Sequence, residues 1–250
     1  MFNMLIFLIA FICGYLDSGL GGGYGTALSP ILILMGYKPV EVIPVVLVSQ
    51  LMTDVVACLV HHKVKNVDLH FKSDHFKIAG TIGAFSLIGV VVSVFVAISV
   101  PQWILTLYIG ILVIGMGLLM LLAQDKVFRF SWKKILALGT IASFNKGISG
   151  GGFGPLLTGG QVLSGIDVKN VIGMTAFAKA MTCLVGFILY FMMGKYINWH
   201  LIFMLWIGAI PAVIGAGMTV KYINTNKLKK YVAFFIIILG VLTLFKIGGK

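Results

Sequence analysis

Apolar residues run through this chain in ten stretches, and the polar residues are gathered into a few short interruptions. In the first half the apolar stretches cover roughly 3–18, 24–36, 41–62, 76–97 and 101–123. In the second half they cover roughly 133–148, 153–165, 169–194, 199–220 and 228–247. A membrane-crossing helix needs about 20 apolar residues, so the last three stretches of each half predict full spans. The first two of each half are shorter. Residues 24–36 amount to 13 positions, about 20 Å of helix against a hydrocarbon core of about 30 Å. Each short pair therefore predicts a hairpin of part-length helices. Its turn must lie inside the protein and not in lipid, because open backbone at membrane depth has to be shielded.

Both predicted turns are glycine runs. The first reads Gly14-Tyr-Leu-Asp-Ser-Gly-Leu-Gly-Gly-Gly-Tyr-Gly25 and the second Ser143-Phe-Asn-Lys-Gly-Ile-Ser-Gly-Gly-Gly-Phe-Gly154. The halves align around them. Positions 21–25 match 150–154, Gly36 matches Gly165, Thr53 matches Thr182, and Asp68 matches Asn198 after one gap. Ile82-Gly-Ala84 matches Ile207-Gly-Ala209, and Gly115 matches Gly240. This is an internal duplication, with repeats at 1–125 and 126–250.

Charge sets the orientation. The chain is 60% hydrophobic and 10% charged, against about 25% charged in a soluble domain. A net charge of +12 could suggest nucleic acid, but its placement argues otherwise. Of the 19 Lys and Arg residues, twelve lie in three loops: Lys63, Lys65, Lys72, Lys77; Lys126, Arg129, Lys133, Lys134; Lys221, Lys227, Lys229, Lys230. This is the positive-inside signature, and it puts those loops in the cytoplasm. The basic loop follows the third stretch in the first half and the fourth in the second. Equivalent loops thus face opposite sides, which makes the repeats inverted and places both termini outside. The expected fold is an all-α polytopic membrane protein of two inverted-topology repeats. Each repeat holds a broken-helix hairpin and three full spans, in the cell membrane.

The same glycines are candidate chemistry. Consecutive glycines let N–H groups of Gly21, Gly22, Gly23 and of Gly150, Gly151, Gly152 point into one concavity. A following helix adds its positive N-terminal end. Two such ends predict an anion site near the midplane; close packing of small residues is the plainer alternative. Asp17, Asp54, Lys146 and Lys179 are the ionisable residues well inside spans, where charge is costly and marks function. Asp17 and Lys146 are repeat equivalents, as are Gln50 and Lys179. Lys146 and Lys179 would supply positive potential, and Asp17 or Asp54 a counter-charge or a coupling-proton site. Two structural ion pairs are the competing reading. Ser18, Gln50, Asn145, Ser149, Gln161 and Thr175 are nearby polar partners, while Tyr24 and Phe153 follow the glycine runs and could close over a ligand.

Other classes fit less well. Cys13, Cys58 and Cys183 lie in apolar stretches without metal-ligand spacing, and no cofactor or metal is implied. His61, His62, His70 and His75 cluster at one basic loop, read as a wet interface. Gly147-Ile-Ser149-Gly150 has the GxSG form of an intramembrane serine hydrolase, but that chemistry needs a base at similar depth, and no histidine lies deep in a span.

With these residues in view, the chain resembles the sulfite exporter TauE/SafE family over nearly its whole length. The resemblance rests on the duplicated glycine motifs, on Gly36-Tyr-Lys-Pro39 and on His61-His-Lys-Val-Lys-Asn-Val-Asp68. In the second half it rests on Gly150-Gly-Gly-Phe-Gly-Pro155 and Gly159-Gly-Gln161. Pro30 and Lys179 depart from the usual pattern. The resemblance implies secondary transport of a small inorganic or organosulfur anion: sulfite, thiosulfate or a sulfonate. An anion channel and an importer of another small anion are the alternatives. Exposed glycine faces also permit a homodimer.

Overall fold

The computed structural model describes residues 2–122, 131–163, 166, 168–219 and 225–248. Gly165, Lys126, Arg129 and Lys221, which entered the repeat and orientation readings, lie outside the described residues. The described residues form ten helices: α1 (Phe2–Leu20), α2 (Tyr24–Leu34), α3 (Pro39–Lys63), α4 (Asp74–Ser99), α5 (Gln102–Leu122), α6 (Trp132–Ser149), α7 (Phe153–Leu163), α8 (Val168–Met192), α9 (Trp199–Thr219) and α10 (Thr225–Gly248). Among the described residues there is no strand. Among the described residues six helices are long and apolar enough to cross a membrane, namely α3, α4, α5, α8, α9 and α10. These are the three full spans expected in each half.

The short pairs differ in one respect from expectation. α1 is 19 residues long and continues to Leu20, two positions beyond the expected end. The reason is that Gly19 costs a helix only about 1 kcal/mol, whereas the chain first reverses at Gly21, where φ is +77°. α2 and α7 are part-length, at 11 residues each, or about 16 Å.

Outward faces carry large apolar side chains, among them Ile12, Leu59, Ile88, Ile111, Ile207 and Ile238. A water-soluble monomer does not expose apolar surface so widely; here it meets lipid tails. The helices interleave across residue 125. α1 packs on α9, and α4 packs on α6. α3 crosses α8, and α5 lies along α10. Small residues bring these helices together: a Cβ on Gly14 would sit 3.1 Å from the Ala209 backbone.

At the centre the α1–α2 turn meets the α6–α7 turn, backbone against backbone. A Cβ on Gly22 would fall 2.6 Å from the carbonyl carbon of Gly154, and one on Gly151 would fall 2.8 Å from that of Gly25. Neither backbone neighbour can swing away as a side chain would. Gly22→Ala is therefore expected to lower stability by about 1–3 kcal/mol or more, read as an earlier thermal unfolding in detergent. Gly80→Ala, at a glycine with open space around it, is the control that should leave the transition in place. An unchanged transition in Gly22→Ala would contradict the packing.

Candidate functional site

The two turns share positive φ at counterpart glycines. φ is positive at Gly21 (+77°) and Gly23 (+143°), and at their counterparts Gly150 (+74°) and Gly152 (+79°). Residues with a Cβ rarely adopt these values, so the glycines are needed to reverse the chain. The charged residue before each turn answers a different helix end. Asp17 Oδ1 accepts a hydrogen bond from the Tyr24 N–H, 3.1 Å away, at the start of α2. A carboxylate there meets the positive helix end. Lys146, its counterpart, donates from Nζ to Gly150 O at 2.8 Å, where α6 ends. An ammonium there meets the negative helix end. Opposite charges at equivalent positions thus do the same kind of work.

The four buried charges are not two separate pairs. Lys179 Nζ stands 2.6 Å from Asp17 Oδ2 and 2.9 Å from Asp54 Oδ1, and its side chain is 2% exposed. One lysine thus bridges two acids. Asp17 is satisfied at both oxygens. Asp54 is fully buried, and neither of its oxygens accepts a hydrogen bond; the approach to Lys179 is an ion-pair contact without hydrogen-bond alignment. Lys146 is different again. It is buried, donates to Gln50 Oε1 and to Gly150 O, and has no carboxylate within ion-pair distance among the described residues.

A crevice too narrow for a water-sized sphere lies between the turns. Asp17, Gly23, Gln50, Lys146, Gly151, Gly152 and Phe153 line it, as do Gly25, Thr26 and Gly154. It is closed. The N–H groups of the second turn already have partners: Gly150 N–H donates to Lys146 O, Gly151 N–H to Ser149 Oγ, and Gly152 N–H to Thr26 Oγ1. In the first turn Gly21 N–H donates to Asp17 O, but Gly22 and Gly23 N–H have no hydrogen-bond acceptor among the described residues.

The remaining expected residues are placed around this cleft without lining it. Gln161 donates to Thr175 Oγ1 at 3.1 Å, beside Thr158, which donates to Gly21 O at 2.6 Å. Asn145 Oδ1 accepts from Tyr108, and the Tyr24 hydroxyl meets Ser49 of α3. The Ser149 hydroxyl donates to Asn145 O at 2.6 Å and accepts from Gly151 N–H. Its partners are backbone groups of its own turn, where a hydrolase would need a base.

Ser18 belongs to a feature the sequence reading missed. His61 is fully buried, unlike the wet interface expected of the histidine cluster. Asn66 Nδ2 donates to Gly217 O at 3.2 Å and to His61 Nδ1 at 3.1 Å. A carbonyl can only accept, so the amide orientation is fixed and Nδ1 carries no proton. His61 Nε2–H then donates to Ser18 O at 3.2 Å. The result is a clasp joining α1, α3 and α9, and its tautomer leaves His61 no free nitrogen with which to act as base on Ser18. Thr26 and Thr158 were also missed. Their only sequence signal is a hydroxyl within a short apolar helix beside a glycine run.

The sulfite exporter TauE/SafE family model matches residues 6–243. A curated relative from Bacillus subtilis (strain 168), "Probable membrane transporter protein YtnM", is 27% identical to this chain. The match covers 97% of this chain and 83% of that protein. No solved structure matches the chain.

The bridging lysine yields a stability prediction. Lys179→Met would leave two buried carboxylates without a cation, and breaking such a pair costs about 3–5 kcal/mol. Thermal unfolding in detergent should occur far earlier, and adding Asp54→Asn to the same variant should restore part of the loss. Unfolding of Lys179→Met at the parental temperature would show that the bridge is not formed.

Proposed function

The chain belongs to the sulfite exporter TauE/SafE family of membrane transporters, and on that premise we propose that it carries small sulfur-containing anions such as sulfite, thiosulfate or sulfonates out of the cell. The observation that carries this reading is Lys146. A buried ammonium is costly unless something offsets its charge. Lys179 has two carboxylates for that purpose; Lys146 has only an amide oxygen and a carbonyl. It lines the cleft between the glycine turns, with Phe153 and Gln50 beside it. An anion entering there meets a cation with no carboxylate at ion-pair distance, and Gly23, whose N–H has no acceptor among the described residues. Oxyanions at glycine-rich turns and helix N-termini are recognised in this way.

The cleft is closed, which favours a carrier over a channel. Opening it requires the two turns to part. We take residues 1–125 and 126–250 as inverted repeats, a reading supported by the matching positive-φ glycines and the helix pairing. α1 on α9 and α6 on α4 are counterpart contacts, whereas α3 with α8 and α5 with α10 pair a helix with its own counterpart. A moving body in alternating access is then built from helices of both repeats, since each first helix is held by the other repeat's fourth.

Labelled sulfite counterflow in proteoliposomes tests the reading, with thiosulfate and methanesulfonate as unlabelled competitors. Saturable exchange that the competitors suppress is the expected result. Lys146→Gln should lower exchange at least tenfold while the protein still unfolds cooperatively in detergent. Exchange at the parental rate in Lys146→Gln would remove the lysine from the site.

A further inference from the structure

We propose that Asp54 is the proton carrier of this transporter: an anion binding beside Lys146 brings one proton onto Asp54, and the two cross together. This rests on the transport reading above and assigns its coupling. Charge counting is the first argument. The buried set holds two acids, Asp17 and Asp54, and two bases, Lys146 and Lys179. With all four ionised the set is neutral. A singly charged anion makes it negative by one. An unbalanced charge in a dry membrane interior costs several kcal/mol. One proton taken up with the anion restores neutrality.

Geometry selects the acceptor. Asp17 holds the Tyr24 N–H on Oδ1 and the Lys179 ammonium on Oδ2, so both oxygens already accept hydrogen bonds. Lys179 is held between two acids and keeps its protons. Asp54 is fully buried, and no donor is aimed at either of its oxygens. Oδ1 has the flank contact with Lys179; Oδ2 has no partner among the described residues. A proton on Oδ2 breaks no hydrogen bond and leaves Lys179 paired with Asp17. The step is a simple transfer. Hydronium on the side to which the site opens gives its proton to Oδ2, forming one O–H bond, and that bond breaks to water on the opposite side.

The surroundings of Asp54 contain no better candidate. From α8 it faces Lys179 and Cys183, from α1 Asp17, from α2 Tyr24, from α6 Lys146, and on its own helix Cys58. α5 and α9 also pack on α3. Their titratable side chains are Tyr108, which donates to Asn145 Oδ1, and His200, which is exposed at the start of α9.

The test uses the full chain in proteoliposomes with a trapped pH dye and the membrane potential clamped. Methanesulfonate and thiosulfate are the probes, because both have a fixed charge near neutral pH and carry no proton of their own. In the parent, about one proton should enter with each methanesulfonate, and a pH gradient alone should drive its accumulation. Asp54→Asn should lower proton movement at least tenfold relative to labelled exchange, and Asp54→Glu should return it. Net methanesulfonate uptake without proton entry in the parent overturns the proposal, as does undiminished proton entry during net uptake by Asp54→Asn. If Asp54→Asn does not fold, the parental stoichiometry still decides: zero protons per anion refutes coupling. Absence of exchange in the parent sinks the transport reading itself, a separate outcome.

Discussion

Two stretches of bare backbone touch at the centre of this molecule, and much else follows from that contact. Gly22 lies against Gly154, and Gly25 against Gly150 and Gly151, at distances that exclude even a methyl group. Only glycine permits both the approach and the positive φ of the turns. The contact shields open backbone from lipid, as a membrane interior demands. It also brings the end of one broken helix to the start of another, so that Asp17, Gly23 and Lys146 line one cleft. The close packing of the glycines is thus the same arrangement on which the anion site is proposed. A turn that packs this tightly is also what holds the cleft shut.

Polar groups are distributed unequally between the two halves of the chain. Counterpart positions carry different side chains: Asp17 against Lys146, Gln50 against Lys179, Tyr24 against Phe153. Gln50 and Lys179 are instructive. Gln50 serves as acceptor to Lys146, whereas Lys179 serves as cation to two acids. One side of the centre thus holds a closed ion cluster and the other a lone ammonium. A perfectly duplicated chain would have made both alike.

The hydrophobic pattern alone foretold ten helices, six of them full spans, and the turns at the glycine runs. Length and apolarity decide these features locally. The intramembrane charges were equally visible, because charge stands out in an apolar stretch. Their partners were not. Whether Lys179 meets one acid, two or none depends on how α1, α3 and α8 cross, and sequence spacing says nothing of that. The same limit hid His61. Its position at the end of α3 beside Lys63 and Lys65 reads as solvent, yet the chain folds back through Asn66 and covers it. α1 ran longer than expected because glycine in a helix is only a mild penalty, so the break comes where φ changes sign.

Interleaving has a consequence for how the protein is made. α1 packs on α9, and the cation for Asp17 is Lys179, 162 residues further along the chain. A ribosome adding 5–20 residues per second needs roughly 8–32 s to cover that distance. During that time α1 carries an acid without its counter-ion, and its neighbour does not yet exist. The insertion machinery must hold or readmit this helix until the second half arrives. A chain cut off near the middle is thus an open half-interface, with the chemistry that membrane quality control is built to find.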